Sequence, residues 1–135
     1  KMEALNAGYD EAIMLNGAGL VSACSGENIF VAKGDVILTP PTSSGALPGI
    51  TQHTVMTLAA DHGIDIQVGD LARSDLYTAD EIFVVGTAAE VSAVNSVDNR
   101  TVPCPGPATK VLADAYADLV RGRTETYRAW TELAS

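Results

Sequence analysis

Apolar and polar positions divide the chain into short blocks with two different periods. Glu11 to Leu15 is a short apolar run ended by Gly17-Ala18-Gly19, which predicts a buried strand and a turn. Residues 28–32 (NIFVA) and 35–39 (DVILT) flank Lys33-Gly34, a connection long enough only for a hairpin turn. Pro40-Pro41 stops the second of these strands, because proline cannot continue the ladder. After a loop of small residues (42–49, TSSGALPG), the pattern predicts a helix over 51–62, with Val55, Leu58, Ala59 and His62 on one side and Gly63 as its stop.

Ile64, Ile66 and Val68 alternate with polar residues, the period of a half-exposed strand. Residues 81–86 (EIFVVG) are mostly apolar, as in a strand covered on both faces. Residues 89–94 and 100–102 read as further strands, joined through a turn at Asp98-Asn99. Gly106-Pro107 opens the clearest helix: Val111/Leu112, Ala115/Tyr116 and Leu119/Val120 recur every four residues, and Gly122 ends it. The last dozen residues are expected to be a short helix or a docked tail. Strands outnumber helices and several pair as hairpins. The expected fold is therefore α/β in the mixed α+β sense: one domain, a mixed sheet with helices packed outside.

Composition narrows the function. At 135 residues, 47% hydrophobic and with a net charge of −9, the chain suffices for one domain with a real core. Scattered cations on an acidic chain exclude nucleic acid as an expected partner. No apolar run approaches the roughly 18 residues of a membrane span, and no basic-then-apolar leader opens the sequence. The opening KMEALNAGYDEA reads as the tail of a helix, so the chain is expected to be a piece of something longer. Cys24 and Cys104 form no CxxC or zinc spacing and read as free thiols of a cytoplasmic protein.

Most catalytic patterns are absent. Gly17-Ala18-Gly19 lacks the third glycine and the helix of a dinucleotide fingerprint, and there is no Walker lysine. Ser43 and Ser44 lie in no GxSxG elbow. His53 and His62 are nine residues apart, not a metal-ligand spacing on one helix face, and no metal is expected. Asp80-Glu81 reads either as a metal carboxylate pair or as the solvated beginning of a buried strand.

Two segments carry more. Residues 47–51 (LPGIT) set a tight turn before a helix whose first N–H groups point outward. Such an end binds phosphate through backbone donors and the helix dipole without a lysine, or is a plain N-cap at Thr51. Residues 86–90 (GTAAE) follow the buried strand with a flexible glycine, the Thr87 hydroxyl and the small Ala88 and Ala89. That is either a ligand loop beyond a strand end or an ordinary bulge.

These segments, with SGENIF (25–30), the longer block TPPTSSGALPGIT (39–51), LYTADEIFVVGTAAEV (76–91) and VDNRTV…GPATK (97–110), occur in one order and spacing. From about Gly8 to Arg123 the chain resembles the C-terminal domain of class IV pyridoxal-phosphate enzymes, most of all branched-chain amino acid aminotransferases. D-amino acid aminotransferases and aminodeoxychorismate lyases are more distant relatives. The resemblance implies a cytoplasmic homodimer, a barrel-like mixed sheet ringed by helices, and a smaller N-terminal domain that closes over pyridoxal phosphate. It implies amino acid and 2-oxo acid substrates. By position, Gly49, Ile50 and Thr51 would hold the cofactor phosphate through their backbone, with Leu47 near the pyridine ring. Thr87 would give its hydroxyl to the phosphate, and the N–H groups of Thr87 and Ala88 would face the substrate carboxylate.

The chain departs from the family in two main respects. The lysine to which the family's cofactor is attached lies upstream of the matched region, as does an arginine for the phosphate. Lys1, Lys33 and Lys110 are not sheltered as an imine-forming lysine must be, so no catalytic residue is assigned and the chain alone is expected to be inactive. The family motif Ser-Glu-x-x-x-x-Asn reads here Ser22-Ala23-Cys24-Ser25-Gly26-Glu27-Asn28, with alanine in place of the glutamate that pairs with the pyridine nitrogen. Gln52 replaces a usual arginine, a milder change. Two readings follow: part of a branched-chain transaminase using 2-oxoglutarate, or a degenerate pseudoenzyme or ligand-binding member. A class IV lyase or D-amino acid aminotransferase is a third.

Overall fold

The computed structural model describes residues 13–24, 27–41, 43, 45–46, 49–86, 90–97, 100–102 and 106–120. Among these residues nine strands form: β1 (Ile13–Leu15), β2 (Val21–Cys24), β3 (Asn28–Lys33), β4 (Val36–Thr39), β5 (Ile66–Val68), β6 (Glu81–Gly86), β7 (Glu90–Ala93), β8 (Ser96–Val97) and β9 (Arg100–Thr101). Three helices accompany them: α1 (Ile50–Asp61), the single-turn α2 (Arg73–Tyr77) and α3 (Pro107–Val120). The fold is mixed α+β, as expected.

The central sheet runs β5-β4-β3-β6-β7, and β1-β2 and β8-β9 form separate hairpins. β3 is antiparallel to both β4 and β6, and β5 is parallel to β4, so β4, β5 and β6 all run one way. Two connections are crossovers: α1 carries the chain from β4 to the parallel β5, and residues 69–80, with α2, carry it from β5 past β4 and β3 to β6. One end of the sheet therefore gathers Thr39, Val68 and Gly86, the last residues of those strands, with Asn28 and Glu90, the first of β3 and β7.

Side-chain alternation along β3 and β6 builds two cores. On one face Phe30 and Ala32 join Phe83 and Val85 beneath Val55, Leu58, Leu112 and Leu119 of α1 and α3. Phe30 and Phe83 stack with centroids 4.9 Å apart. On the other face Ile29, Val31, Ile82 and Val84 meet Val21, Leu71, Leu76 and Val97. Both long helices cover a single face, and the small hairpins with α2 cover the other. Both faces of β6 are thus buried, which is why its sequence is apolar without alternation.

The remaining differences are local, and the first is that β1, expected as a buried strand, leaves Met14 and Leu15 exposed because it pairs only with β2 in a separate hairpin. Lys33 belongs to β3, and the hairpin turns on Gly34-Asp35, with Gly34 at φ 61. His62 lies past the end of α1 and is exposed, its Nδ1 2.8 Å from the Leu58 carbonyl oxygen, so it leaves the apolar side assigned to it. Gly63, at φ 72, ends the helix as expected. β2, β8 and α2 lack a readable period because each is at most five residues long. The Asp98-Asn99 turn, Cys104 and the terminal dozen residues lie outside the described residues.

Lys33 Nζ donates to Asp75 Oδ1 at 2.8 Å, tying β3 to α2. The Lys33 hydrogen bond, aided by one from the Ala72 N–H, holds the Asp75 carboxyl below its ordinary value of 3.8.

Candidate functional site

Both long helices begin after turn-forming residues, but their first turns meet different fates. In α3, Pro107 has no N–H to satisfy. The N–H groups of Ala108 and Thr109 donate to the Glu81 carboxylate at 3.3 and 2.8 Å, and the Thr109 hydroxyl donates to it at 2.8 Å. Glu81 is 3% exposed. The positive end of α3 is thus filled by the chain's own carboxylate. Glu81 is therefore neither a solvated strand residue nor half of a metal pair with the exposed Asp80. Among the described residues no group of three or more His, Cys, Asp or Glu is arranged to hold a metal.

At α1 the first intrahelical backbone bond runs from the His53 N–H to the Gly49 carbonyl, at 3.1 Å. The N–H groups of Ile50, Thr51 and Gln52 are left over by helix geometry. Gly49 is the N-cap, extended at φ −125 and ψ 145, so the Thr51 N-cap reading is corrected by two residues. A glycine has no side chain with which to cap; instead Gln52 Oε1 accepts the Gly49 N–H at 3.4 Å.

Gly49 also locates the site. A Cβ there would stand 2.7 Å from Asn28 Oδ1, so the turn lies close against β3 and a larger residue would push the Asn28 amide aside. Asn28 pairs with Val85, one residue before Gly86, and Gly86 pairs with Glu90. Glu90 holds a left-handed φ of 55, uncommon for a residue other than glycine. The start of α1 and the residues flanking Thr87 and Ala88 therefore meet at one end of the sheet, where β4, β5 and β6 end. Gly45 approaches β2 as well: a Cβ on it would lie 3.3 Å from Ser22 Cβ. Leu47, Thr87 and Ala88 themselves lie outside the described residues.

This end suits a phosphate: backbone N–H groups that the helix itself leaves over, at a positive helix end beside a glycine turn. Among the described residues no imine-forming lysine lies there. Lys33 pairs with Asp75 at the opposite end of β3, and Lys110 is exposed on α3. A cleft of about 310 Å³ also opens at that opposite end, beside Asp35, Asp65, Asp80 and Glu81. Sequence reasoning missed Thr39 and gave Asn28 only as the end of a family motif, because their places beside the turn appear only once β3 and β4 are set against it.

Comparison with known proteins shows the family. Residues 1–97 match the family described as Amino-transferase class IV. The branched-chain-amino-acid aminotransferase of Pseudomonas aeruginosa is 46% identical over 133 residues, covering 97% of this chain and 43% of that protein. A probable branched-chain-amino-acid aminotransferase of Aquifex aeolicus is also 46% identical, over 96% of this chain and 43% of its own length. The crystal structure of the branched-chain aminotransferase of Thermoproteus uzoniensis with norvaline superposes at a TM-score of 0.93 with 46% identity, over 96% of this chain and 43% of that one. The branched-chain amino acid aminotransferase of Thermobaculum terrenum, in its PLP-form, gives a TM-score of 0.92 with 37% identity, over 96% of this chain and 43% of that one. The chain thus spans less than half the length of these relatives, and it belongs to the class IV aminotransferase family.

Proposed function

We propose that this chain is the cofactor-holding, C-terminal domain of a pyridoxal-phosphate-dependent transaminase acting on branched-chain amino acids and 2-oxoglutarate. The observation that carries the reading is the meeting of α1's start with the ends of β3 and β6 through Gly49 and Asn28. The likeness to branched-chain aminotransferases over nearly the whole chain supports the substrate class.

In this reading the Ile50 and Thr51 N–H groups bind the phosphate, and Gly49 lets it approach the backbone. Each such contact at a helix end contributes about 0.3–1 kcal/mol, more where water is excluded. Leu47 packs beside the ring, and the Thr87 hydroxyl takes a further phosphate oxygen. The N–H groups of Thr87 and Ala88 orient the substrate carboxylate without adding fixed charge. When bound, the cofactor supplies an electron sink for the pair released at the substrate Cα. The attaching lysine and the second wall come from an upstream domain and a partner subunit in a cytoplasmic homodimer. Exposed apolar residues at this end, Ile50 at 84% and Val68 at 59%, are the kind of surface such a domain covers.

A second reading rests on Ala23. An alanine offers no carboxylate to keep a pyridine nitrogen protonated, which favours a degenerate member that binds but does not transaminate. One experiment separates the two: the full-length protein is supplied with pyridoxal phosphate, a branched-chain amino acid and 2-oxoglutarate. Glutamate formation supports the transaminase. Tight cofactor binding without glutamate supports the degenerate member, and no binding overturns both.

A further inference from the structure

We propose that Gln52 and Thr39 form a positioning relay that sets the phosphate-binding turn, with Gln52 taking the Gly49 N–H away from the ligand. The Thr39 side chain is buried at the end of β4 and donates its hydroxyl proton to the Ile29 carbonyl at 2.9 Å. A hydroxyl has one proton, so toward Gln52 it can only accept. Gln52 must therefore present its amide N–H to Thr39, at 3.4 Å, and its carbonyl to Gly49.

The order of donors is thus dictated from inside the sheet. The relay runs from the Ile29 carbonyl through Thr39 and Gln52 to the Gly49 N–H, and it fixes the angle at which α1 leaves its turn. Its two 3.4 Å members are long and individually weak, so the relay orients rather than anchors. Gly49 packed on Asn28 limits the turn from the other side. With the Gly49 N–H taken by the protein, the donors offered to an anion are those of the first helical turn. Gln52 touches neither the phosphate nor the reacting atoms in this scheme; it acts through Gly49.

This inference rests on reading the start of α1 as the phosphate site, and the experiment separates the two. The full-length protein is titrated calorimetrically with pyridoxal phosphate and, separately, with pyridoxal, which lacks the phosphate. Gln52→Ala and Thr39→Val are each expected to weaken pyridoxal phosphate about five- to twentyfold, the worth of one or two neutral hydrogen bonds. Pyridoxal binding stays within about twofold, and the double variant is no weaker than the weaker single one, as expected of residues in one relay. Thr39→Ser keeps the hydroxyl and retains the wild-type affinity. Gln52 is half-buried near the helix surface, so its variant reports even where a change at buried Thr39 disturbs folding. A Gln52→Ala protein that keeps the wild-type preference for the phosphorylated ligand overturns the relay alone. Equal loss of both ligands also overturns it. A wild-type protein with no preference for the phosphorylated ligand overturns the phosphate site and the relay together.

Discussion

Thr109 gives both its backbone N–H and its hydroxyl to the buried Glu81 carboxylate, at 2.8 Å each, across 28 residues of sequence. This pair joins the first residue of the buried strand β6 to the first turn of α3. It closes one helix start with an internal anion, while at the start of α1 the neutral Gln52 amide caps the Gly49 N–H.

Removing that carboxylate leaves buried donors unpaired at a positive helix end. Glu81→Ala is expected to destabilise the protein by about 2–4 kcal/mol, and Glu81→Gln by about half as much because one acceptor oxygen remains. Urea denaturation at pH 7 measures both. Equal stability of Glu81→Ala and wild type would remove the structural role assigned here.

Gly106 is required by the same contact. A Cβ at this position would overlap Glu81 Oε2, Cδ and Cβ, so more than a flexible side-chain tip must move. Gly106→Ala is expected to cost about 1–3 kcal/mol. In the Glu81→Ala background the penalty should shrink, a non-additivity that a double-mutant cycle reads directly.

At the other helix start the effect should fall on binding. Gly49→Ala places a Cβ 2.7 Å from Asn28 Oδ1, and the backbone there is ordinary extended conformation, so the turn shifts without backbone strain. Cofactor affinity in the full-length protein should drop about tenfold, with the thermal midpoint moving by only a few degrees. A large loss of midpoint with unchanged affinity would contradict the site.

The Lys33–Asp75 pair carries a pH dependence of definite sign. Its folded-state carboxyl titrates below 3.8, so the pair contributes stability above the unfolded value. That contribution is lost as pH falls through the lower, folded one. Asp75→Asn should therefore narrow the stability difference between pH 6 and pH 3. Lys33 is 37% exposed, so 1 M salt should weaken the effect. An identical acid profile for wild type and Asp75→Asn would show the pair to be inert.

Ala23→Glu tests the missing pyridine partner. In the full-length protein the substitution is expected to raise the transamination rate at least about tenfold, the scale of a charge-assisted hydrogen bond made to the reacting cofactor. A rate that stays level would mean that another group already holds the pyridine nitrogen.

Much of the fold is legible in the chain because its longer elements state their own period. The β3–β4 hairpin, β6 and α3 follow from apolar runs, a Lys33-Gly34 break and a four-residue repeat, all local signals. β2, β8 and α2 were not legible, since elements of two to five residues carry no period and are held by what they pack against. Of the candidate site, the turn at Gly49, Ile50 and Thr51 could be read, but the places of Thr39 and Asn28 beside it could not.

By itself the sequence determined the family, the mixed sheet and two helix starts able to attract an anion. Pro and Gly mark both, and only 47–51 was read as a phosphate site. Tertiary structure alone decided what meets each start. β6 carries Glu81 onto the first turn of α3 at one end of the sheet, and three hydrogen bonds consume that positive end. At the other end the crossover from β4 to β5 delivers α1 with the neutral Gln52 amide, not a carboxylate, on its N-cap N–H. Helix-end electrostatics act over a few ångströms, and which groups come that close is set by strand pairing across long stretches of chain.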